Sequence, residues 1–470
     1  MSASTSHDTI CAIATPLGTG GIGVVRLSGA EAVAIAGNIF SSRRDGTPAG
    51  DLQQTASHTV HHGWLVDPSS NEAVDEVLVT VMRTPRSYTR EDVVEISGHG
   101  GPRVLAKMLE LCLAAGARLA EPGEFTKRAF LNGRLDLTQA EAVMALIHAE
   151  SEVAHRLALR QLQGEVAGSI RAIREALIAL LADCEASLDF VEHGIRSLPP
   201  ERVAERVTAI QQQVATLIKS AETGALLRDG VQTVIAGRPN VGKSSLFNRL
   251  LNNNRAIVTP YPGTTRDLLE ETITIDGFPL SLIDTAGLRD SPDPIEQEGI
   301  TRAGRTLDEA DLVLLVLDGS EPLHADDWAL LSRVKPERTV VVFNKLDLSP
   351  PIDQTAVEAR RPAMATVSIS AMQGTGCDQL KTVISRLLTE RSGGLSGRAI
   401  ISAARHQQAL QATAESLERA QTAATSGLSH EFIAADLNDA VQQLGAILGA
   451  DGSFTEEILD NIFKQFCIGK

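Results

Sequence analysis

One glycine-rich segment of the chain has the residue types that hold the phosphates of a nucleotide. It runs Gly237-Arg238-Pro239-Asn240-Val241-Gly242-Lys243-Ser244, follows an apolar run and opens a helical pattern. In that context the segment matches a P-loop, whose backbone N–H groups and helix N-terminus hold phosphate oxygens. We expect Lys243 to reach the β- and γ-phosphates and the Ser244 hydroxyl to bind Mg²⁺. By itself the segment is compatible with an ATPase as well as a GTPase.

Three later segments indicate that the base is guanine. Asp284-Thr285-Ala286-Gly287 follows a predicted strand, where its aspartate can hold Mg²⁺ and its glycine N–H can sense the γ-phosphate. Asn344-Lys345-Leu346-Asp347 ends another strand, and its last carboxylate can accept from guanine N1–H and the 2-amino group, a donor pair that adenine lacks. Ser370-Ala371, a chance turn if taken alone, follows the next strand and would support the guanine oxygen through backbone N–H. The ordered set predicts GTP binding and hydrolysis.

The residue that orients the attacking water is harder to find. Leu288 stands where Ras-like enzymes have a glutamine, and an apolar side chain cannot orient water. Glu296, in the acidic loop 290–298, is either that residue or part of a solvated loop. A second alternative is a monovalent cation held by Asn240 and the carbonyls of 259–263, which otherwise form only a stiff switch loop with two prolines. The residues predicted to contact GTP are Asn240, Val241, Gly242, Lys243, Ser244, Ser245, Thr259, Pro260, Tyr261, Pro262, Gly263, Thr264, Thr265, Asp284, Thr285, Ala286, Gly287, Asn344, Lys345, Asp347, Ser370 and Ala371.

The first part of the chain contains a second glycine-rich segment. Residues 18–23 fit G-x-G-x-x-G, but Val24-Val25-Arg26-Leu27 then continues as a strand, so we predict a turn between two strands instead of a dinucleotide site. By spacing alone, Glu95 and Arg134 are ordinary surface or ion-pairing residues, as is Arg26, and His99 is structural. Near the other end, Cys467 is either an inert apolar residue or a thiol whose pKa is lowered by a nearby lysine.

Three successive sequence patterns predict the secondary-structure elements that position these residues. Strand-like runs alternate with helical patterns up to about residue 124, and long amphipathic helices follow. Between 230 and 390, buried strands alternate with helices, which is typical of a parallel sheet covered on both faces, and helical patterning then resumes. The predicted fold is multidomain α/β plus α: an N-terminal α+β domain at 1–124, a discontinuous helical domain at 125–229 and 391–470, and an inserted Ras-like P-loop GTPase domain at 230–390.

Composition restricts the function classes. The 470 residues include 43 basic and 59 acidic ones, a net charge of −16, which argues against a chain that coats nucleic acid electrostatically. Five scattered cysteines without a C-x-x-C pair exclude a disulfide framework and a thiolate zinc site. The polar N-terminus and the short apolar runs predict neither a signal peptide nor a membrane span. We therefore expect a soluble cytoplasmic protein.

The sequence resembles the MnmE (TrmE) family of tRNA-modification GTPases over almost its whole length. Generic GTPases share only the middle third of this pattern. The stretches that carry the resemblance are 8–10, 14–16, 20–23, Gly98-His99-Gly100-Gly101-Pro102, 122–133, Gly263-Thr264-Thr265-Arg266-Asp267, 284–289 and the final Phe466-Cys467-Ile468-Gly469-Lys470.

The resemblance implies roles for particular residues. The N-terminal domain would bind a tetrahydrofolate one-carbon carrier, 5,10-methylenetetrahydrofolate or a related folate, through Arg26, Glu95, Arg134 and Lys470. Some relatives carry Lys where Arg134 stands, which keeps the charge but not the planar fork. Mg²⁺ would be held by Ser244 and Thr265, and potassium by Asn240, Thr259, Tyr261 and Thr264. Glu296 would be the hydrolytic residue and Cys467 would take part in the modification.

The resemblance also implies partners. The chain would form a homodimer through its N-terminal domain and act with the flavoprotein MnmG, which supplies FAD, in a heterotetramer. The pair would add an aminomethyl or carboxymethylaminomethyl group to C5 of the wobble uridine in certain tRNAs. The alternative is a GTP-dependent RNA or ribosome assembly factor that makes no covalent change.

Overall fold

The computed structural model describes most of the chain. The described residues are 8–43, 52–149, 151–189, 198–254, 271–284, 307, 310–348, 355–391, 400–450, 456–464, 466 and 468–470. The chain divides into two compact units, residues 1–144 with 445–470 and residues 145–444. The four-part division predicted at 124, 229 and 390 stays a prediction.

Thirteen strands and fourteen helices are labelled here in chain order within those ranges. The strands are β1 (Ile10–Ile13), β2 (Gly23–Ser28), β3 (Phe40–Ser41), β4 (Thr59–Asp67), β5 (Glu72–Met82), β6 (Val93–Gly98), β7 (Arg118–Leu119), β8 (Val231–Ala236), β9 (Glu271–Ile275), β10 (Phe278–Asp284), β11 (Leu312–Asp318), β12 (Thr339–Asn344) and β13 (Ala365–Ser368). The helices are α1 (Ala32–Ile39), α2 (Pro102–Ala114), α3 (Glu124–Leu131), α4 (Leu137–Ile147), α5 (Glu152–Leu162), α6 (Glu165–Asp189), α7 (Pro200–Asp229), α8 (Lys243–Asn254), α9 (Ala325–Arg333), α10 (Thr355–Arg360), α11 (Cys377–Arg391), α12 (Ala404–Thr425), α13 (His430–Leu448) and α14 (Glu456–Phe463).

The first unit is built on a seven-stranded sheet in the order β3-β4-β5-β6-β2-β1-β7. All neighbours are antiparallel except β1 and β7. Helices α1 and α2 bury their apolar faces in one core with this sheet. The first residue of β2 is Gly23. Glycine is needed there because a Cβ would lie 2.6 Å from Leu105 Cδ2 of α2. The predicted turn at residues 18–23 between two strands is confirmed, and so is the α+β texture.

The second unit contains a six-stranded sheet in the order β13-β12-β11-β8-β10-β9. The predicted parallel sheet is confirmed for β8 and β10–β13. Its strands are apolar on both sides, and two cores cover their two faces. Strand β9 was not predicted, and it pairs antiparallel with β10 because only Asp276 and Gly277 join them. Both residues have positive φ, 46° and 88°, as a two-residue hairpin requires.

Long helices make up the rest of the second unit. Helix α7 begins at Pro200, where the sequence predicted a break followed by a new helix. It lies against the segment that leads into α12: Ser220 Oγ accepts from Ile401 N at 3.2 Å, and a Cβ on Gly224 would collide with the Ile401 carbonyl. None of the helices in the described ranges combines the length with the apolar character of a membrane-spanning segment.

Candidate functional site

The P-loop connects β8 to α8, as its sequence predicts. Gly237 and Gly242 have φ of +147° and +96°, a backbone region that other residues enter only under strain. A Cβ on Gly237 would meet the Val316 carbonyl, and one on Gly242 would meet the Asn344 amide nitrogen. Both positions therefore require glycine, because of backbone conformation and because of close neighbours.

The charged side chain of the loop lies over its own backbone. Lys243 Nζ donates to the carbonyls of Gly237, at 3.1 Å, and Arg238, at 2.8 Å. Ser244 and Ser245 follow in the first turn of α8 and are exposed. A cation and a helix N-terminus thus meet inside the loop, an arrangement that favours phosphate.

Arg238 anchors the other side of the loop to α9. Its Nε donates to Asp327 Oδ1 at 2.8 Å, and its Nη2 to Glu321 Oε1 at 3.0 Å. Asp327 is 1% exposed and also accepts from His324 N, which caps α9. The hydrogen bond to Asp327 raises the pKa of Arg238. No sequence pattern indicated this anchor, because Asp327 lies 89 residues further along the chain.

Asn344 joins three of the predicted motifs. It is 4% exposed; its Nδ2 donates to Val241 O at 2.9 Å, and its Oδ1 accepts from Ala371 N at 2.9 Å. The P-loop, the end of β12 and the loop after β13 are therefore one hydrogen-bonded assembly. In this arrangement the Ala371 N–H is bonded to Asn344, so its predicted contact with guanine stays a prediction.

Lys345 and Asp347 lie at the edge of that assembly. Lys345 has a φ of 68° and pairs its ammonium with Asp318, at the end of β11. Burial raises the pKa of Asp318, but hydrogen bonds from Lys345 and Ser320 outweigh it and leave the pKa below its usual value. Asp347 is exposed, as a carboxylate that accepts from a ligand must be. Sequence reasoning missed Asp318.

The first unit contains a second cluster, formed by the four residues assigned to folate. Arg26 and Glu95 face each other on β2 and β6, with Nε and Nη2 both 2.8 Å from Oε1. Arg26 Nη1 also donates to Gly469 O at 3.3 Å. Burial lowers the pKa of the Lys470 amine, and the charge of Arg26 lowers it further. Gly469 and Lys470 therefore lie beside strands β2 and β6.

Tyr88 connects the remaining arginine to the cluster. Its ring lies 4.7 Å from Cζ of Arg134 and 5.5 Å from Cζ of Arg26. Its hydroxyl hydrogen-bonds Thr126 Oγ1 at 2.9 Å. Three cationic side chains, one carboxylate and an aromatic face thus lie together, a set that fits an anionic, flat, hydrogen-bonding molecule. The sequence pattern did not single out Tyr88.

His99 is paired with a carboxylate of β5. Its Nδ1 is 2.7 Å from Asp75 Oδ1, and the hydrogen bond to Asp75 raises its pKa. The side chain is 71% exposed. Among the described residues, no group of three or more His, Cys, Asp or Glu could hold a metal ion.

Part of the predicted site lies outside the described residues. This part comprises Thr259, Pro260, Tyr261, Pro262, Gly263, Thr264, Thr265, Thr285, Ala286, Gly287, Glu296 and Cys467. Asp284 is the last residue of β10 and pairs with Ile235 of β8, the strand that leads into the P-loop.

Comparisons with known proteins agree over the whole chain. The family model described as "MnmE helical domain" matches residues 137–467, and "GTP-binding protein TrmE N-terminus" matches residues 9–134. Three similar proteins are each called tRNA modification GTPase MnmE. The one from Levilactobacillus brevis is 43% identical over 469 residues, 99% of each chain. The one from Enterococcus faecalis is 43% identical over 471 residues, 100% of each. The one from Carboxydothermus hydrogenoformans is 44% identical over 469 residues, 99% of this chain and 100% of that one.

Proposed function

The chain belongs to the MnmE family of tRNA modification GTPases, and on that premise we propose that it is a potassium-activated GTPase that modifies wobble uridines. The observation that carries the proposal is that one chain has both the hydrogen-bonded assembly of the P-loop, Asn344 and Ala371 and, in the first unit, a cationic cluster. A GTPase that only hydrolyses nucleotide has no need of the cationic cluster in the first unit. A GTPase that works on a one-carbon unit needs such a cluster to bind the anionic carrier of that unit.

The described residues support the following roles around GTP. Lys243 would leave the loop carbonyls for the β- and γ-phosphates, which offer its ammonium stronger, charged acceptors. Ser244 is exposed at the start of α8 and fits Mg²⁺. Asp284 and Thr265, the latter outside the described residues, would complete the set. Magnesium would neutralise phosphate charge during transfer. Asp347 would accept from guanine N1–H and the 2-amino group.

Hydrolysis would depend on two groups in place of the missing glutamine. Glu296 would orient the attacking water. Potassium would supply the positive charge that an arginine finger supplies elsewhere, held by Asn240, Thr259, Tyr261 and Thr264. Asn240 supports this assignment because its φ of 63° shapes the loop at the phosphate side, and its amide oxygen is a ligand that potassium accepts.

Measuring phosphate release tests this mechanism. Turnover in KCl should exceed turnover in NaCl by about tenfold or more, and Glu296→Ala should lower turnover by about 10²-fold with GTP affinity nearly unchanged. Glu298→Ala, two residues along the same acidic loop, is the matched control and should stay near wild type. Equal rates in the two salts would defeat the cation role, and full activity in Glu296→Ala would defeat the role of Glu296.

The first-unit cluster would hold a tetrahydrofolate. Arg26, Arg134 and Lys470 supply positive charge for the folate carboxylates, Glu95 accepts from ring N–H groups, and the Tyr88 ring holds the two guanidinium groups. The folate would supply the one-carbon unit. Cys467, three residues before Lys470, would take part in the modification.

The proposed reaction adds an aminomethyl or carboxymethylaminomethyl group at C5 of the wobble uridine in certain tRNAs. The chain would act as a cytoplasmic homodimer together with an MnmG-like flavoprotein that carries FAD. The alternative is an RNA or ribosome assembly factor that hydrolyses GTP and modifies nothing. Mass spectrometry of tRNA from cells lacking the protein separates the two. Loss of the C5 group, restored by the wild-type gene, is expected; intact wobble modification would favour the assembly factor.

A further inference from the structure

Arg249 extends from the P-loop helix to the loop that follows β13. It lies on α8, six residues after Lys243, and is half-buried. Its Nε donates to the Ala371 carbonyl at 2.9 Å, and its Nη2 donates to the Met372 carbonyl. One guanidinium therefore holds two successive peptide units of the loop predicted to contact the base. Its planar fork suits a pair of acceptors.

These bonds determine the direction of an N–H group. In a trans peptide the C=O and N–H point in opposite directions, so holding the Ala371 oxygen turns the Met372 N–H away from α8. The neighbouring donors are already used: Ala371 N–H bonds Asn344 Oδ1 at 2.9 Å, and Gln373 N–H bonds Ser370 Oγ at 3.1 Å. Within the described part of the chain, the Met372 N–H has no hydrogen-bond acceptor.

We propose that Arg249 is a positioning residue for base selection: it fixes the peptide between Ala371 and Met372 so that the Met372 N–H is offered to guanine O6. This rests on the guanine contacts proposed above. A charged donor on the carbonyl end also polarises the peptide and strengthens the N–H at its other end. Adenine has an amino group at that ring position, which an N–H repels.

Three nucleotides separate this role from a merely structural one. GDP offers O6, inosine diphosphate keeps O6 but lacks the 2-amino group, and 2,6-diaminopurine riboside diphosphate has an amino group in place of O6. The dissociation constant of each is measured by isothermal titration calorimetry with the full chain. Wild-type protein should bind GDP most tightly.

Arg249→Ala should weaken the binding of GDP and of inosine diphosphate by the same factor. We expect about three- to tenfold, which corresponds to the loss of one hydrogen bond. The dissociation constant of the diaminopurine nucleotide should change little. The ratio of its dissociation constant to that of GDP should therefore fall by the same factor. Arg249→Lys keeps the charge and one donor, so its dissociation constants should fall between those of wild type and Arg249→Ala. This variant preserves the test if the alanine variant does not fold. Arg386→Ala, an exposed arginine of the same unit, should match wild type.

Two results would overturn the inference. Equal weakening of all three nucleotides would mean that Arg249 only supports the fold of the site, and unchanged constants would mean that it does nothing there. If wild-type protein bound ADP as tightly as GDP, the guanine assignment itself would fail, and Arg249 would have no base contact to position.

Discussion

Tyr88 is the residue that gives the first-unit cluster its shape. Both arginines lie against its ring, and its hydroxyl is tied to Thr126 of α3. Cation–π contacts of this kind hold guanidinium groups at a defined height over the ring. Arg26 already donates to Glu95 and Gly469, so Arg134 is the arginine that we expect the ring to present to a carboxylate.

Replacing Arg134 tests the cluster at the scale of one residue. Arg134→Gln removes a charge and should weaken tetrahydrofolate binding about tenfold, measured anaerobically by calorimetry. Arg103→Gln, on the exposed side of α2, is the control and should bind as wild type. Equal affinity of wild type and Arg134→Gln would remove Arg134 from the folate site.

At the scale of elements, the hairpin of β9 and β10 connects the nucleotide sheet to the helices. Its two-residue turn lies against α5, where Val153 and Leu157 pack on the core of the sheet. A Cβ on Gly277 would collide with Val153. Strand β10 runs from this turn to Asp284, so one strand joins the contact with α5 to the nucleotide end of the sheet.

Gly277→Ala should destabilise the second unit by about 2 kcal/mol, since it combines a left-handed φ with a steric collision. Unfolding in urea is followed by Trp328 fluorescence in a Trp64→Phe background. Gly427→Ala is the matched control, with a φ of +67° and nothing within 4 Å of its Cβ, and should cost about 1 kcal/mol.

Val153→Ala alone should lower stability through lost packing, and it should cost less in the Gly277→Ala background, because there it also removes the collision while the backbone strain remains. An equal cost for Gly277→Ala and Gly427→Ala would show that the turn does not press on α5.

At the scale of the molecule, Arg128 joins distant parts of the first unit. Its side chain is 6% exposed and pairs with Asp8, Glu124 and Glu91, at 2.7, 3.0 and 3.3 Å. Burial raises the pKa of Glu124, but hydrogen bonds from Arg118, the Glu121 backbone and Arg128 outweigh it, so the pKa is lowered. The segments around residues 8, 91 and 124 thus meet at one buried cation.

Arg128→Met should cost about 2 kcal/mol at pH 7, because three half-buried carboxylates lose a buried cation. Arg118 still pairs with Asp8 and Glu124 and limits the cost. A folded-state pKa below the unfolded value stabilises the protein above the unfolded pKa, about 4.3 for Glu, and this stability is lost as pH falls through the folded pKa. The cost of Arg128→Met should therefore shrink from pH 7 towards pH 3. The measurement is urea unfolding followed by Trp64 in a Trp328→Phe background.

Arg103→Met, an exposed arginine of the same unit, should change stability by less than about 0.5 kcal/mol. A cost for Arg128→Met that stayed constant across this pH range would show that the variant acts through packing instead of charge.

Elements with strong local patterns were predicted well. Strands β11 and β12 are buried along their whole length, and β8 is buried at every residue except Gln232, as expected of strands in a parallel sheet covered on both faces. Strand β4 was missed because His61, His62 and Gly63 interrupt its alternation. The Asp276-Gly277 pair is a hairpin signal, because Asp-Gly favours the two-residue turn that joins β9 and β10.

The sequence by itself determined the phosphate loop, the strand ends that carry the guanine motifs and the family, because each of these lies in a short continuous stretch with its own backbone geometry. Only the tertiary structure decided that Tyr88 joins Arg26 and Arg134, that Asn344 binds both the P-loop and Ala371, and that Arg249 holds the same loop from α8. These contacts connect residues dozens to hundreds of positions apart. Such pairs are chosen by the packing of whole elements, and no local pattern records which side chains that packing will bring together.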